Sequence, residues 1–228
     1  MANLYPIFLD LRNALCLVVG GGKVAERKVE GLLQAGARRI VLISPTAMPR
    51  IRQWTEVEWI RRKATVDDLR LLDDHAGVRL VFLCTSLRAL QREMARACRE
   101  RSILCNVADA PEESAFLLGS VLRRGAIQIG CSTGGDSPLL AKQLRDVVAN
   151  VVDPAYAVLS EIVAEVRQAD MRRRLPVAQR RARMERLLDG RVLESVRRDG
   201  ENAARDLVHQ LLNEDHRPGR RSHKRHSP

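Results

Sequence analysis

The chain has 228 residues, 45% of them hydrophobic and 29% charged, which excludes collagen-like, disordered and disulfide-scaffold classes and leaves room for a core that needs no metal or cross-link. No apolar run approaches the ~20 residues of a membrane span, and the opening residues lack the basic stretch and cleavage site of a secretory signal. The net charge of +11, from 39 Lys and Arg against 28 Asp and Glu, suits an anionic partner such as nucleic acid, a membrane surface or an acidic small molecule.

In chain order, residues 15–20 (LCLVVG) form a continuous apolar run ending in glycines, the pattern of a strand buried on both faces of a parallel sheet. Residues 23–35 read as a helix, with Val24, Lys28, Leu32 and Ala35 near one face and Gly36 as its stop. Strands follow at 39–44, 57–60, 79–84 and 103–107, with a helix at 89–99 between the last two. This alternation predicts a doubly wound parallel α/β domain. Apolar runs at 116–122 and 127–131, joined by RRGA, then read as a hairpin with Gly125 in its turn. A helix is expected from 139 to 151, and helical sequence from 155 to 212, interrupted at Pro176 and Gly190. The last residues, HRPGRRSHKRHSP, are a basic tail expected to be disordered.

The charge excess follows this division. Residues 1–170 hold 23 basic and 20 acidic side chains, residues 171–200 ten and four, residues 201–215 one and four, and residues 216–228 five and none. The N-terminal three quarters are nearly neutral. The five cysteines (Cys16, Cys84, Cys98, Cys105, Cys131) show no CxxC spacing and read as free thiols of a reducing cytoplasm. His75 is isolated, and His209, His216, His223 and His226 lie mostly in the tail, so no metal site is expected.

VVGGGKVAERK places Gly20, Gly22 and Ala25 at GxGxxA spacing after a buried strand and at the start of a helix. Gly20 permits the tight turn, Gly22 leaves room for a pyrophosphate, Ala25 lets helix and strand pack closely, and the helix start offers N–H groups to phosphate. The acidic ribose ligand usual ~20 residues on is missing; the second strand ends at Ser44-Pro45, where Ser44 can take that hydrogen bond. Arg38 and Arg39 lie close by in sequence and keep NADP open beside NAD. The fourth strand ends at Thr85, at the carboxyl edge where ligands of such sheets bind.

Asp109 follows the fifth strand and stands on the same edge, placed to take a proton as a hydride leaves. By spacing alone Asp109 and Glu112 also fit a helix cap, the simpler reading. Ser132, Thr133, Gly134, Gly135 and Ser137 belong to a turn, STGGDSP, that opens the next helix. Ser137 or Asp136 suits the N-cap and Pro138 the first helical residue. The turn can cradle a substrate carboxylate or simply be well capped.

In order, LYPIFLDLRNALCLVVGGGKVAERKVEGLLQAGA, VFLCTS and CNVADAPEESAFLLGSVLRRGAIQIGCSTGGDSPLLAKQLR resemble the N-terminal module of siroheme synthases, the precorrin-2 dehydrogenase and sirohydrochlorin ferrochelatase family, over residues 3–148. The resemblance implies NAD-dependent oxidation of precorrin-2 to sirohydrochlorin, with Fe²⁺ inserted afterwards in bifunctional members. It also implies a homodimer whose central segment crosses between subunits, and a helical C-terminal module. On this reading the chain divides into an NAD-binding Rossmann domain (1–112), a dimerisation segment (113–150), a helical module (151–215) and the basic tail (216–228). The resemblance is to the stand-alone form, for which no transmethylase domain is expected.

The family's cofactor loop falls on Gly20, Gly21, Gly22, Lys23 and Val24, its second-strand edge on Ser44 and Pro45, and its catalytic aspartate on Asp109. Two positions depart from the pattern: Thr133 replaces a serine of some members, and Gly119 replaces a proline. The resemblance makes capping the secondary role of Asp109. It also gives the basic segment a partner, a polycarboxylate tetrapyrrole. A dehydrogenase paired with a separate chelatase stays open. So does a Rossmann-type nucleotide sensor whose basic C-terminus contacts nucleic acid, although no recognition motif accompanies the charge.

Overall fold

Both faces of β1 (Leu15–Val19) are covered, which is why its five residues are apolar without alternation. In the computed structural model, which describes residues 4–71 and 77–213, this strand is the centre of a five-stranded sheet. Its neighbours are β2 (Arg39–Ile43) and β4 (Val78–Leu83), and β3 (Val57–Ile60) and β5 (Leu104–Val107) form the edges. The order is β3-β2-β1-β4-β5 and every pairing is parallel.

Register aligns the strand ends. Val19 lies opposite Ile43 and Leu83, and Leu83 opposite Val107. Gly20, Ser44, Thr85 and Asp109 therefore follow one carboxyl edge, at the point where strand order reverses between β1 and β4. The alternating residues of β1 feed two cores. Leu15, Leu17 and Val19 pack on one side with Met94 and Cys98 of α3 (Arg88–Glu100). Cys16 and Val18 pack on the other with Ala25, Val29 and Leu32 of α1 (Lys23–Gln34). A short helix, α2 (Asp68–Leu71), precedes β4.

Two of the sequence expectations change here. The face that α1 buries runs through Ala25, Val29 and Leu32, not Val24, Lys28, Leu32 and Ala35. This i, i+4, i+7 stripe is wholly apolar, whereas the other would bury a lysine head. In addition, Gly200 (φ +89°) divides the helical region once more, beyond the breaks at Pro176 and Gly190.

Two compact units result. One contains the described residues up to Leu118 together with Gly134–Asp136; the other contains Gly119–Thr133 and the described residues from Ser137 onward. In the second unit β6 (Ser120–Arg124) and β7 (Ile127–Cys131) form an antiparallel hairpin, with Gly125 at φ +55° in its turn. Five helices follow: α4 (Pro138–Val151), α5 (Ala155–Arg172), α6 (Val177–Leu187), α7 (Arg191–Asp199) and α8 (Glu201–Asn213). Their core gathers Leu159, Ile162, Leu187, Val192, Ala204, Val208 and Leu211. A buried ion pair, Arg183 Nε to Asp170 Oδ2 at 2.9 Å, ties α6 to α5. The basic tail, 216–228, and His75 lie outside the described residues.

Candidate active site

Each glycine of the β1–α1 loop has its own reason to be glycine. Gly20 has φ +107°, and a Cβ on it would lie 2.6 Å from the Cys84 carbonyl oxygen. A Cβ on Gly21 would lie 1.9 Å from the Thr46 carbonyl oxygen, and the Gly21 carbonyl accepts the Met48 N–H at 2.9 Å. Gly22 flanks α1 with extended backbone and no side-chain cap. A Cβ there would meet nothing within 4 Å. The space over the helix start is thus open where phosphate must approach.

The first intrahelical bond of α1 runs from Glu26 N–H to the Gly22 carbonyl. The N–H groups of Lys23, Val24 and Ala25 accordingly have no acceptor within the helix. Ala25 is buried against the sheet. This combination of an open cradle, spare N–H donors and the positive end of a helix dipole fits a dinucleotide pyrophosphate.

At the end of β2, Ser44 is buried; its N–H donates to the Ile60 carbonyl at 3.2 Å, and its carbonyl accepts Trp59 Nε1–H at 2.9 Å. Pro45 beside it is exposed. Arg38 and Arg39 stand at the amino end of this strand, about 13 Å of strand away from its carboxyl edge. At the end of β4, the Thr85 carbonyl accepts Gln91 Nε2–H at 2.6 Å and its hydroxyl accepts the Leu87 N–H at 3.3 Å.

Asp109 is exposed and left-handed, with φ +61°. Its carboxylate has no hydrogen-bond partner among the described residues, so the capping expectation is overturned. The short turn Pro111–Glu113 begins beside Ala110 without any side-chain cap. Ser114 closes the loop instead, accepting the Val107 N–H at 2.9 Å and lying 3.1 Å from the Ala110 carbonyl oxygen. The positive φ turns the aspartate away from the N–H groups that a cap would engage.

A cavity of about 190 Å³ opens beside this aspartate, lined by Val24, Arg27, Lys28, Asn106, Asp109 and Leu117 among others. Asn106 is fixed by donating Nδ2–H to the Phe116 carbonyl at 3.1 Å. Burial pushes the Lys28 ammonium below its usual pKa, while the nearby Asp109 carboxylate favours its charge. Burial likewise raises the Cys84 thiol to about 11, so it stays protonated at neutral pH. Arg27 and Lys28 are missing from the sequence expectation. Their signal was the cationic ERK one turn beyond the glycine loop.

The STGG turn carries Gly134 and Gly135 at φ +68° and +97°. In the second unit, Thr133 Oγ1 accepts the Ser137 N–H at 3.0 Å and lies 3.0 Å from the Ser137 carbonyl as donor. Ser137 Oγ caps α4 by accepting the Leu140 N–H at 3.2 Å. Both hydroxyls are engaged within the turn, and Ser132 before them is exposed. Gly119 meets a local demand too, since a Cβ there would lie 2.7 Å from the Cys131 carbonyl oxygen. A larger depression, about 550 Å³, lies between α7 and α8 of the second unit and contains none of the candidate residues. Among the described residues no group of three or more His, Cys, Asp or Glu side chains converges.

A parallel sheet of this order, with a glycine loop at its switch point and an unpaired carboxylate on the same edge, defines a dinucleotide-binding α/β protein. Residues 7–120 match the NAD_binding_7 family model, described as "Putative NAD(P)-binding", and the chain belongs to that family. It is 36% identical over 207 residues to a siroheme synthase of Methylobacillus flagellatus, covering 91% of this chain and 44% of the relative. It is 36% identical over 214 residues to that of Thioalkalivibrio sulfidiphilus (92% and 42%), and 32% over 215 residues to that of Escherichia coli O1:K1 / APEC (93% and 46%). The chain thus spans less than half the length of these curated relatives. The solved structure of "SirC, precorrin-2 dehydrogenase" superposes with a TM-score of 0.74 at 23% identity, covering 91% of this chain and all of the other, and has the same fold.

Proposed function

We propose that the chain is an NAD-dependent dehydrogenase that oxidises precorrin-2 to sirohydrochlorin, a step of tetrapyrrole biosynthesis. The observation that carries this reading is the unpaired carboxylate of Asp109 on the sheet edge that also bears the open glycine loop. Similarity to siroheme synthases over nine tenths of the chain supports the substrate class.

Gly20, Gly21 and Gly22 shape the cofactor cradle, and Lys23, Val24 and Ala25 supply main-chain donors to the pyrophosphate. Ser44 and Pro45 frame the ribose, and Thr85 the edge of β4. The unphosphorylated ribose is the better match, because Arg38 and Arg39 stand at the far end of β2. NAD⁺ held in this cradle would supply the hydride acceptor for the substrate. Asp109 takes the accompanying proton, so that precorrin-2 and NAD⁺ become sirohydrochlorin, NADH and H⁺.

The same carboxylate suits a second reaction, insertion of Fe²⁺ as a substrate, in which the two displaced pyrrole protons need an acceptor. The turn Ser132, Thr133, Gly134, Gly135 and Ser137 is read as the seat of a substrate carboxylate, although the Thr133 and Ser137 hydroxyls and the Ser137 N–H are already engaged within it. Much of the basic segment is already neutralised: Arg181, Arg183, Arg191, Arg197 and Arg198 are all ion-paired.

The reading includes a homodimer, supported by α4, where Leu140, Leu144, Val147 and Val151 are 46%, 44%, 61% and 64% exposed on one helical stripe. Their 4-3-4 spacing is that of a packing seam. All five cysteines are free, in keeping with a reducing cytoplasm, and among the described residues no single helix is long and apolar enough to cross a membrane.

The test is a spectral time course with precorrin-2 and NAD⁺, followed by Fe²⁺ or Co²⁺. Formation of NADH together with sirohydrochlorin is expected; a folded, NAD⁺-binding chain that forms neither contradicts the reading. A sirohydrochlorin spectrum unchanged by metal assigns chelation to a separate enzyme. DNA retention that falls with salt and survives deletion of 216–228 would favour the sensor.

A further inference from the structure

The cavity beside Asp109 holds two cations that neither the glycine loop nor the aspartate employs. Helix α1 carries two acids, Glu26 and Glu30, and Arg50 of the β2–β3 loop pairs with both, at 3.4 and 3.0 Å. Arg27 and Lys28 of the same helix are left without an ion pair among the described residues. Both line the cavity. Lys28 is held there by aromatic packing: its Nζ sits 5.5 Å from the centroid of Phe82, and Phe82 packs edge-on against Phe116 at 5.7 Å. Two cations facing one carboxylate leave the cavity with an excess positive charge. At about 190 Å³ it is smaller than the ~300–1,000 Å³ of a pocket that encloses a whole ligand. It therefore suits a side arm rather than a macrocycle.

We propose that Arg27 and Lys28 form a seat for one carboxylate arm of the tetrapyrrole, positioning the ring edge against Asp109. The proposal rests on the dehydrogenase reading for its substrate class. The seat is a positioning device: it fixes which edge of the macrocycle meets the aspartate, and the guanidinium and ammonium supply charge-assisted donors to the carboxylate.

The experiment uses the full chain and two ligands measured separately, sirohydrochlorin and NAD⁺. Lys28→Met keeps an unbranched stem against Phe82 and removes only the charge; Arg27→Gln does the same at an exposed position. Each is expected to weaken sirohydrochlorin binding about tenfold, and the pair together further, with NAD⁺ affinity unchanged within about twofold and Lys28→Arg restoring most of the loss. In turnover, KM for precorrin-2 rises more than kcat falls. Unchanged sirohydrochlorin affinity in the double variant overturns the seat, as does a wild-type chain that does not bind sirohydrochlorin. Loss of NAD⁺ affinity instead assigns the cations to cofactor phosphate and also overturns it. Charge-dependent sirohydrochlorin binding without NADH formation would leave the seat standing and sink the dehydrogenase reading alone.

Discussion

The carbonyl oxygen of Thr46 occupies the space where a side chain on Gly21 would begin, 1.9 Å from the position of its Cβ. The neighbouring Gly22 faces open space. Gly21 is therefore required by the fold, whereas Gly22 leaves open the space proposed for the cofactor. Gly21→Ala forces two backbone segments apart and is expected to lower stability by about 2 kcal/mol or more, read by denaturant unfolding. Gly22→Ala is expected to leave stability within about 0.5 kcal/mol while weakening NAD⁺ binding at least tenfold, read by titration calorimetry. Equal effects of the two substitutions on stability would contradict this division.

Arg88 links the loops after β4 and β5. Its Nη1 donates to Gln91 Oε1 at 3.1 Å and its Nη2 to the Asp109 carbonyl at 3.4 Å, while Gln91 donates to the Thr85 carbonyl. The link restrains Asp109 in a left-handed conformation that an L-residue adopts at a cost of about 1 kcal/mol or more. Arg88→Leu is expected to reduce kcat about tenfold with little change in NAD⁺ affinity or thermal midpoint. An unaltered kcat would show that the loop holds its shape without the arginine.

Stability at low pH reports on Asp68. Burial pushes its carboxyl upward, but hydrogen bonds from Arg62 and from the Thr65 N–H outweigh this and leave the pKa below the ordinary value. The unfolded chain therefore binds this proton first as pH falls. The stabilisation is complete above about pH 5 and diminishes as pH drops through the ordinary carboxylate range toward the folded value. Asp68→Asn is expected to cost about 1–2 kcal/mol at neutral pH, kept modest because Arg62 remains 43% exposed, and to flatten the acid limb of a stability profile. A limb of the same steepness in the variant would assign the acid sensitivity to other carboxyls.

The α4 stripe gives the proposed dimer a direct test. Replacing Leu144 and Val147 with glutamate places two charges on the exposed apolar face and is expected to yield a folded monomer by sedimentation. Unchanged association would place the contact elsewhere.

Much of the sheet is legible in the sequence because its strands are buried on both faces, as LCLVV and RIVLI show without any alternation. The glycine loop is legible for a related reason: close backbone approach admits few residues. The buried face of α1 is not, because Lys28 lays its stem toward Phe82 and so behaves as half apolar, half charged. Nor is the conformation of Asp109, where a spacing suited to capping gives way to a turn closed by Ser114. The contact between Arg88 and the Asp109 carbonyl spans 21 residues, a separation at which no local pattern marks a pair. The break at Gly200 is hidden by flanking helical sequence on both sides.

Asp109 is the proposed proton acceptor of dehydrogenation, and the most direct measurement of that role is NADH formation from precorrin-2 by wild type and Asp109→Asn at saturating NAD⁺. The asparagine keeps the size and the exposed setting of the side chain and removes its basicity. A fall in kcat of about 10²-fold or more, within the range usual for loss of a general base, with NAD⁺ affinity and unfolding midpoint unchanged, is the predicted result. A folded Asp109→Asn chain that forms NADH at the wild-type rate would contradict it.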